Sequence, residues 1–312
     1  MKFQIFALAI AVTTEMLAQG QSTTNSPTRT APSPRTAIVE ADRSPHPAIA
    51  GTPAAVPEAG AVKQNVYGNK YFGLEVAFPS DWNESFKGPL PSDSGYYVLA
   101  NLRPQGEHNA TVLLSAQDMF FYATAASNSL EMLKEMKANL NEAQKAESGP
   151  VELQIANHTF ERFDFTGAEL HFARFATDIR CHVVSLMITT RDQKVLEKLV
   201  QSVSSLKISQ GEALAGESSS PICIKNYANG ENVIHKVDPE LVGLGYTQVP
   251  ARFIIGTDGK VKHIHVINAY IDQAKSVETA LAQWEFKPYK VNGKAVEVET
   301  GILFEFKPKK NL

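Results

Sequence analysis

Motifs for catalysis and cofactor binding are missing from this sequence. It contains no G-x-S-x-G, C-x-x-C, H-E-x-x-H, P-loop or G-x-G-x-x-G pattern, and these are the common signals of hydrolases, dithiol enzymes, zinc peptidases and nucleotide-binding enzymes. Basic blocks are also scarce, since the net charge is −3 and the dense group of lysines is confined to Lys307, Lys309 and Lys310. We therefore expect no cofactor, no enzymatic activity and no nucleic-acid partner.

Metal-ligand patterns are equally scarce among the eight histidines. His263 and His265 are two residues apart on a predicted strand, with no third histidine, cysteine or carboxylate close to them in the sequence. A zinc site needs three or four protein ligands. The pair is typical of a solvent-facing strand, with metal binding as the alternative, and we expect no metal.

Apolar runs long enough to cross a membrane are missing too. Residues 1–20 have a basic start at Lys2, an apolar run from Phe3 to Val12, and small residues at Ala18 and Gly20. A membrane span needs about 20 apolar residues, so this shorter run is typical of a cleaved secretory signal peptide. We expect a periplasmic or secreted protein. The alternative is that residues 1–20 stay uncleaved and anchor the chain to the inner membrane.

Large aliphatic residues are rare in residues 21–62, which are rich in Thr, Ser, Ala and Pro. Such a segment buries too little apolar surface to offset its ordering entropy, so it is predicted to be a disordered linker. Residues 210–220 form a second, shorter linker of Gly, Ser and Glu. Two domains are expected, at 63–209 and 221–312.

Only two cysteines are present, Cys181 on a predicted strand and Cys223 at the start of the last domain. In an oxidising compartment they can form a disulfide. The alternative is two separate thiols, with Cys181 behaving as a small apolar residue in its strand.

Residues 63–209 combine strand and helix patterns, which predict an α+β domain with an antiparallel sheet and helices. Apolar residues alternate from Phe72 to Phe78, and helical spacing follows Asn128 and begins again near Leu196. The strand and Pro-x-x-Trp turn of YFGLEVAFPSDW, with a helix after a strong final hairpin, resemble the PsbP-like family of small secreted domains. In that resemblance Trp82 is a core residue.

Residues 221–312 predict a ββαβ arrangement. Asp258-Gly259 between apolar runs indicates a hairpin. Residues 271–284 have an apolar helical face that ends at Trp284, and the Lys287-Pro288 pair is expected to end that helix. This order resembles the TonB C-terminal domain over about residues 233–307. The residues that carry the resemblance are Trp284, Phe286, Pro288, Asn292, Gly293 and Val296.

The resemblance implies binding by strand addition, in which an extended peptide of an outer-membrane receptor pairs with a sheet edge. We expect that edge to be the final strand, Ala295 to Phe306, with Glu297, Glu299 and Glu305 facing solvent. The predicted partner-binding residues are Glu297, Val298, Glu299, Ile302 and Phe304. The alternatives are that this strand is internal or covered by the C-terminal tail, or that the protein is an exported enzyme or small-ligand-binding protein that uses residues 63–209.

Overall fold

The computed structural model of the protein describes residues 56–86, 91–92, 95–104, 110–121, 126–209, 221–228, 230–240 and 246–306. The predicted signal peptide at 1–20, the predicted linker up to residue 55, and the linker at 210–220 lie outside the described residues. None of the helices in the described part of the chain combines the length and the apolar character that a membrane crossing requires.

The first block of structure, residues 56–209, contains eleven strands and two α-helices among its described residues. They are β1 Ala61–Lys63, β2 Val66–Asn69, β3 Leu74–Ala77, β4 Trp82–Phe86, β5 Tyr96–Pro104, β6 Ala110–Asp118, α1 Ser129–Ala138, β7 Gln144–Ile155, β8 His158–Gly167, β9 Leu170–Ile179, β10 His182–Thr190, α2 Gln193–Ser202 and β11 Lys207–Ile208. A 3-10 turn, Val203–Ser205, follows α2.

Two antiparallel sheets form this block. The larger has the order β4-β5-β6-β10-β9-β8-β7, and the smaller has the order β1-β2-β3-β11. Helix α2 and the smaller sheet share one core with Trp82, whereas α1 packs with Phe163 and Phe165 in a separate core. Helix α1 begins as predicted, because the Asn128 side chain accepts a hydrogen bond from the Glu131 backbone and so satisfies one free amide of the first turn.

The second block, residues 221–306, contains one α-helix and eight strands among its described residues. They are β12 Ile222–Cys223, β13 Val233–His235, β14 Gln248–Ile255, β15 Val261–Val266, α3 Ile271–Leu281, β16 Glu285–Phe286, β17 Lys290–Val291, β18 Lys294–Ala295 and β19 Val298–Glu305. The main sheet has the order β12-β19-β14-β15. Its core includes Val277 and Leu281 of α3. The predicted α+β class is therefore correct for both blocks.

The Asp258-Gly259 hairpin forms as predicted between β14 and β15. Gly256 and Gly259 close the turn by backbone hydrogen bonds, and the Asp258 carboxylate accepts from the Lys260 amide at 3.0 Å. Gly259 has a φ of +80°, and a Cβ there would lie 2.1 Å from the carbonyl oxygen of Phe286. Only glycine fits this position, since the chain of β16 passes directly over it.

Three boundaries differ from the sequence predictions. The linker expected to reach residue 62 ends earlier, because Val56 is buried and β1 begins at Ala61. Helix α3 ends at Leu281, well before Pro288, because the following residues leave the helix to pair as β16 with β13. Ile271, placed on the buried face by its spacing, is 59% exposed.

Candidate functional site

The final strand, β19, is paired along its whole length on one side and for only two residues on the other. It pairs antiparallel with β14 from Val298 to Glu305. On the opposite side, β12 pairs with it in parallel at Val298 and Glu299. In the described structure, the outer side of β19 beyond Glu299 has no strand beside it.

The backbone groups that reach this outer side belong to odd-numbered residues. The Phe306 amide donates to Thr247 beside β14, whereas the carbonyls of Glu297 and Glu299 accept from Ile222 and Ile224 on the β12 side. Because bonding direction alternates along a strand, the N–H and C=O groups of residues 301, 303 and 305 point away from β14. We call the segment from Gly301 to Glu305, which carries these outward groups, the outer edge of β19.

Two of the glutamates predicted to face solvent are buried. Glu297 is 6% exposed and Glu299 is 5% exposed, whereas Glu305 is exposed as predicted. Glu297 is paired with Lys262, and Glu299 is paired with Arg252 at 2.5 Å. The prediction was wrong because the odd-numbered face of the sheet, which period two alone assigns to water, is partly covered by the first block.

The side chains along β19 separate into two faces. Val298 and Phe304 are buried in the second-block core, and Ile302 packs against it. On the other face, a Cβ at Gly301 would lie 2.6 Å from the tip of Phe121, which shows that the first block packs directly onto the strand there. Leu303 is 43% exposed beyond that contact, so the apolar side chain at the middle of the outer edge is accessible.

The opposite edge of the same sheet, β15, is less regular. Its pairing with β14 shifts register between Arg252 and Ile254, and His263 has a φ of +51°. Such a bulge twists a strand and interrupts its row of free backbone groups, which discourages pairing with another chain. The outer edge of β19 has no register shift, so it is the better template for an added strand.

A buried cluster of charged side chains joins the two blocks behind this edge. Arg252 of β14 donates from Nη1 to Asp118 at 2.5 Å and from Nη2 to Glu299 at 2.5 Å. The side chains of Asp118 and Arg252 are almost fully buried. A charge taken out of water is tolerated when it is paired and hydrogen-bonded, so the guanidinium holds one carboxylate from each block.

His182 completes this cluster as a neutral ring. Its Nε2 accepts a hydrogen bond from Arg252 Nη1 at 2.8 Å, while Nδ1 donates to the Arg180 carbonyl at 2.7 Å. Burial, and then the Arg252 charge, hold the pKa of His182 well below its usual value. Burial also raises the pKa of Asp118, and the nearby Arg252 opposes that shift. These groups are sealed from solvent, so the cluster is built to hold the blocks together.

This cluster was not predicted from the sequence, although a signal for it is present there. Arg252 interrupts the apolar stretch VPARFII, and Asp118 ends the apolar strand β6. A charged residue inside a strand that is otherwise buried needs a partner. The partners come from distant parts of the chain, and no spacing rule relates them.

The two cysteines form a disulfide between the blocks. Cys181 lies next to β10, Cys223 lies in β12, and their sulfurs are bonded. The Cys181 sulfur is also 3.3 Å from Glu299 Oε2. That contact is not a hydrogen bond in the disulfide form, since the sulfur carries no proton. The alternative of two separate thiols is therefore wrong.

Most of the residues that carry the family resemblance lie in the core or in turns of the second block. Trp284 is 2% exposed, and its Nε1 donates to the Val237 carbonyl at 2.7 Å. Phe286 is buried beside it. Asn292 and Gly293, both with positive φ, form the turn between β17 and β18. Pro288 is exposed, and the Val296 amide donates to the carbonyl of Tyr289.

The predicted histidine pair does not form a metal site with neighbouring residues. His265 is near Glu58, 3.2 Å away, and stacks with Tyr97 of the first block. His263 is at the bulge, and burial lowers its pKa. Across the described residues, no group of three His, Cys, Asp or Glu side chains is arranged to hold a metal ion.

Comparison with known proteins gives one family match. Residues 246–308 match the family model described as Gram-negative bacterial TonB protein C-terminal. No curated protein matches the chain significantly. The matched family is non-enzymatic, and the match covers residues 246–308 only.

Three solved structures are similar to parts of the chain. A solution structure of cyanobacterial PsbP from Synechocystis sp. PCC 6803 is 14% identical, with a TM-score of 0.36, covering 48% of this chain and 96% of that one. The Pseudomonas aeruginosa TonB C-terminal domain is 24% identical, with a TM-score of 0.23, covering 27% and 94%. A crystal structure from Bacteroides thetaiotaomicron VPI-5482 is 13% identical, with a TM-score of 0.29, covering 49% and 51%.

The family match falls on β14, β15, α3 and β19, the elements that build the sheet and its outer edge. The resemblance stated from the sequence is thereby confirmed for this segment. Residues 246–308 match the C-terminal domain family of Gram-negative TonB proteins.

Proposed function

We propose that this protein is an exported, non-enzymatic protein of the Gram-negative cell envelope that binds a partner protein by strand addition. The partner segment pairs with the outer edge of β19, Gly301 to Glu305. The family match of residues 246–308 supports a role in TonB-dependent transport across the outer membrane. In that role the partner is an outer-membrane receptor, which would present a short extended segment in the periplasm.

The observation that carries this proposal is the half-covered edge. β12 already pairs in parallel with Val298 and Glu299, and residues 301–305 continue the same edge without a neighbouring strand in the described structure. Main-chain hydrogen bonds along such an edge supply affinity, and alternate side chains supply register. Leu303 offers an apolar contact, and Glu305 offers a charge to the added strand.

This edge is shorter than the one predicted from the sequence. Of the five predicted contact residues, Val298 and Phe304 lie in the core, and Glu297 and Glu299 are paired inside the protein. Ile302 is only partly buried, although its backbone bonds to β14. The proposed contacts are therefore the outward backbone groups of residues 301, 303 and 305 rather than the predicted side chains.

Amide hydrogen exchange of the full chain tests this function. The probe is a set of synthetic peptides copied from the periplasm-facing segments of outer-membrane receptors. We expect a binding peptide to slow exchange at the amides of Gly301, Leu303 and Glu305. Exchange that no peptide alters along this edge would rule out strand addition there.

A matched pair of variants makes the test specific for backbone pairing. Leu303→Pro removes one outward N–H at a position where proline is compatible with an edge strand, whereas Leu303→Ala keeps the N–H and removes the apolar side chain. We expect Leu303→Pro to weaken peptide binding by about tenfold, the effect of losing one hydrogen bond. Equal binding by the proline variant and the unmodified chain would show that the peptide binds elsewhere.

A further inference from the structure

We propose that the Cys181–Cys223 disulfide is a reducible latch that keeps the chain's own β12 on the edge of β19. A dithiol reductant opens the latch, releases β12 and lengthens the edge that a partner strand can use. The release of β12 depends only on the geometry described above. The gain in partner binding rests on the proposed function.

Without the disulfide, β12 would be held on the edge of β19 only weakly. The Ile222 amide donates to the Glu297 carbonyl at 2.9 Å, and the Ile224 amide donates to the Glu299 carbonyl at 3.0 Å. Both residues of β12 are exposed, with Ile222 at 39%. The strand pairing itself extends over Ile222 and Cys223 only, and so short a ladder on a solvated surface opens readily. The covalent bond to Cys181 is therefore the anchor that fixes β12 in place.

The released segment has a defined end. Tyr227, four residues after Cys223, is buried in the second-block core and donates from its hydroxyl to the Lys287 carbonyl at 2.6 Å. The Ile224 carbonyl also accepts from the Thr300 hydroxyl at 2.7 Å. The movement expected on reduction is thus confined to the residues before Tyr227, which leave the edge while the core stays intact.

The two cysteines differ in solvent exposure, and this determines which sulfur a reductant attacks first in thiol–disulfide exchange. Cys223 is exposed, whereas Cys181 is 3% exposed. A thiolate of the dithiol attacks the Cys223 sulfur, and the S–S bond breaks with its electron pair going to Cys181. The Cys181 sulfur takes up a proton, for which Glu299 Oε2 at 3.3 Å becomes a hydrogen-bond acceptor.

The second thiol of the reductant then attacks the other reductant sulfur, which is bonded to Cys223 in the mixed disulfide. Cys223 is released as a thiol. The protein disulfide gains two electrons and two protons, and the dithiol becomes a disulfide. Release of β12 frees the carbonyls of Glu297 and Glu299. The edge available for pairing then starts at Glu297 instead of Gly301.

Amide exchange without any partner tests the latch. The samples are the oxidised full chain, the chain reduced with dithiothreitol, and the Cys181→Ser/Cys223→Ser variant, which lacks the latch without added reductant. We expect the Ile222 and Ile224 amides to exchange at least about tenfold faster in the last two samples, while the Ala251 and Phe253 amides of β14 keep their protection. Unchanged exchange at Ile222 and Ile224, or a rise shared equally by β14, would overturn the latch.

Peptide affinity provides the second measurement. A receptor-derived peptide that binds the oxidised chain should bind the reduced chain and the double-serine variant about tenfold more tightly, because two further backbone positions become available. Equal affinity would overturn the longer edge. If no peptide binds any form while Ile222 and Ile224 still respond to reduction, the proposed function fails and the latch remains.

Discussion

Replacing Arg252 by methionine removes a cation that pairs with two buried carboxylates of the block interface. Arg252 lies 2.5 Å from Asp118 and 2.5 Å from Glu299. When both carboxylates are ionised, the formal charge of these three groups is −1 with the guanidinium and −2 without it. Loss of one partner from a buried ion pair costs about 3–5 kcal/mol. We expect Arg252→Met to lower the free energy of unfolding by at least that amount at pH 7.5.

The loss of unfolding free energy in Arg252→Met depends on pH because the Asp118 carboxyl titrates. Burial raises its pKa, and Arg252 is the main opposing influence, so the variant has an Asp118 pKa that is higher still. A carboxyl whose folded pKa lies above its unfolded value stabilises the fold at low pH and loses that contribution as pH rises through the folded pKa. The deficit of Arg252→Met should therefore shrink as pH falls through the folded pKa of Asp118 in the variant, by up to about 1.4 kcal/mol per pH unit.

Urea unfolding followed by the fluorescence of Trp82 and Trp284 measures both effects with the disulfide intact. The control variant combines Arg252→Met with Asp118→Asn and Glu299→Gln, so that no charge of the triad remains. It should recover about half or more of the lost stability at pH 7.5. A loss below about 1 kcal/mol at pH 7.5, or a deficit independent of pH, would refute the view that Arg252 compensates two buried charges.

Two further predictions concern the same interface. His182 has a folded pKa well below its usual value near 6.5, so its contribution to stability is present above pH 6.5 and is lost as pH falls. His182→Gln should therefore reduce the slope of unfolding free energy against pH below 6.5 by up to about 1.4 kcal/mol per pH unit. An unchanged slope would contradict a buried neutral ring. Gly301→Ala should lower the free energy of unfolding in urea by about 1–3 kcal/mol, because the new methyl group meets Phe121. Adding Phe121→Ala should remove most of that loss. A full loss that persists in the double variant would show that another contact is responsible.

Local patterns in the sequence predicted most of the second block correctly. The Asp258-Gly259 and Asn292-Gly293 turns depend on residues that tolerate positive φ, and both are found where expected. The end of α3 was misplaced, because Pro288 is a strong stop signal but pairing between β13 and β16 ends the helix earlier. Pairing of this kind depends on residues about fifty positions apart, which a local pattern does not contain.

The candidate site was less predictable than the fold. Alternation in β19 correctly separated Val298 and Phe304 from the glutamates, but it assigned the other face to water. A period of two identifies the two faces of a strand without showing what covers each of them. Glu299 is buried because Arg252 and Asp118 lie against it, and those residues come from different parts of the chain.

The disulfide also determines how the chain responds to a protease. Cys181 belongs to the first block and Cys223 to the second, so the bond closes a covalent ring that contains every residue from 181 to 223. A single cut of the backbone anywhere between the two cysteines leaves two polypeptides that are still joined through sulfur. Such a nicked protein would keep one copy of each block together, and only reduction followed by denaturation would separate them.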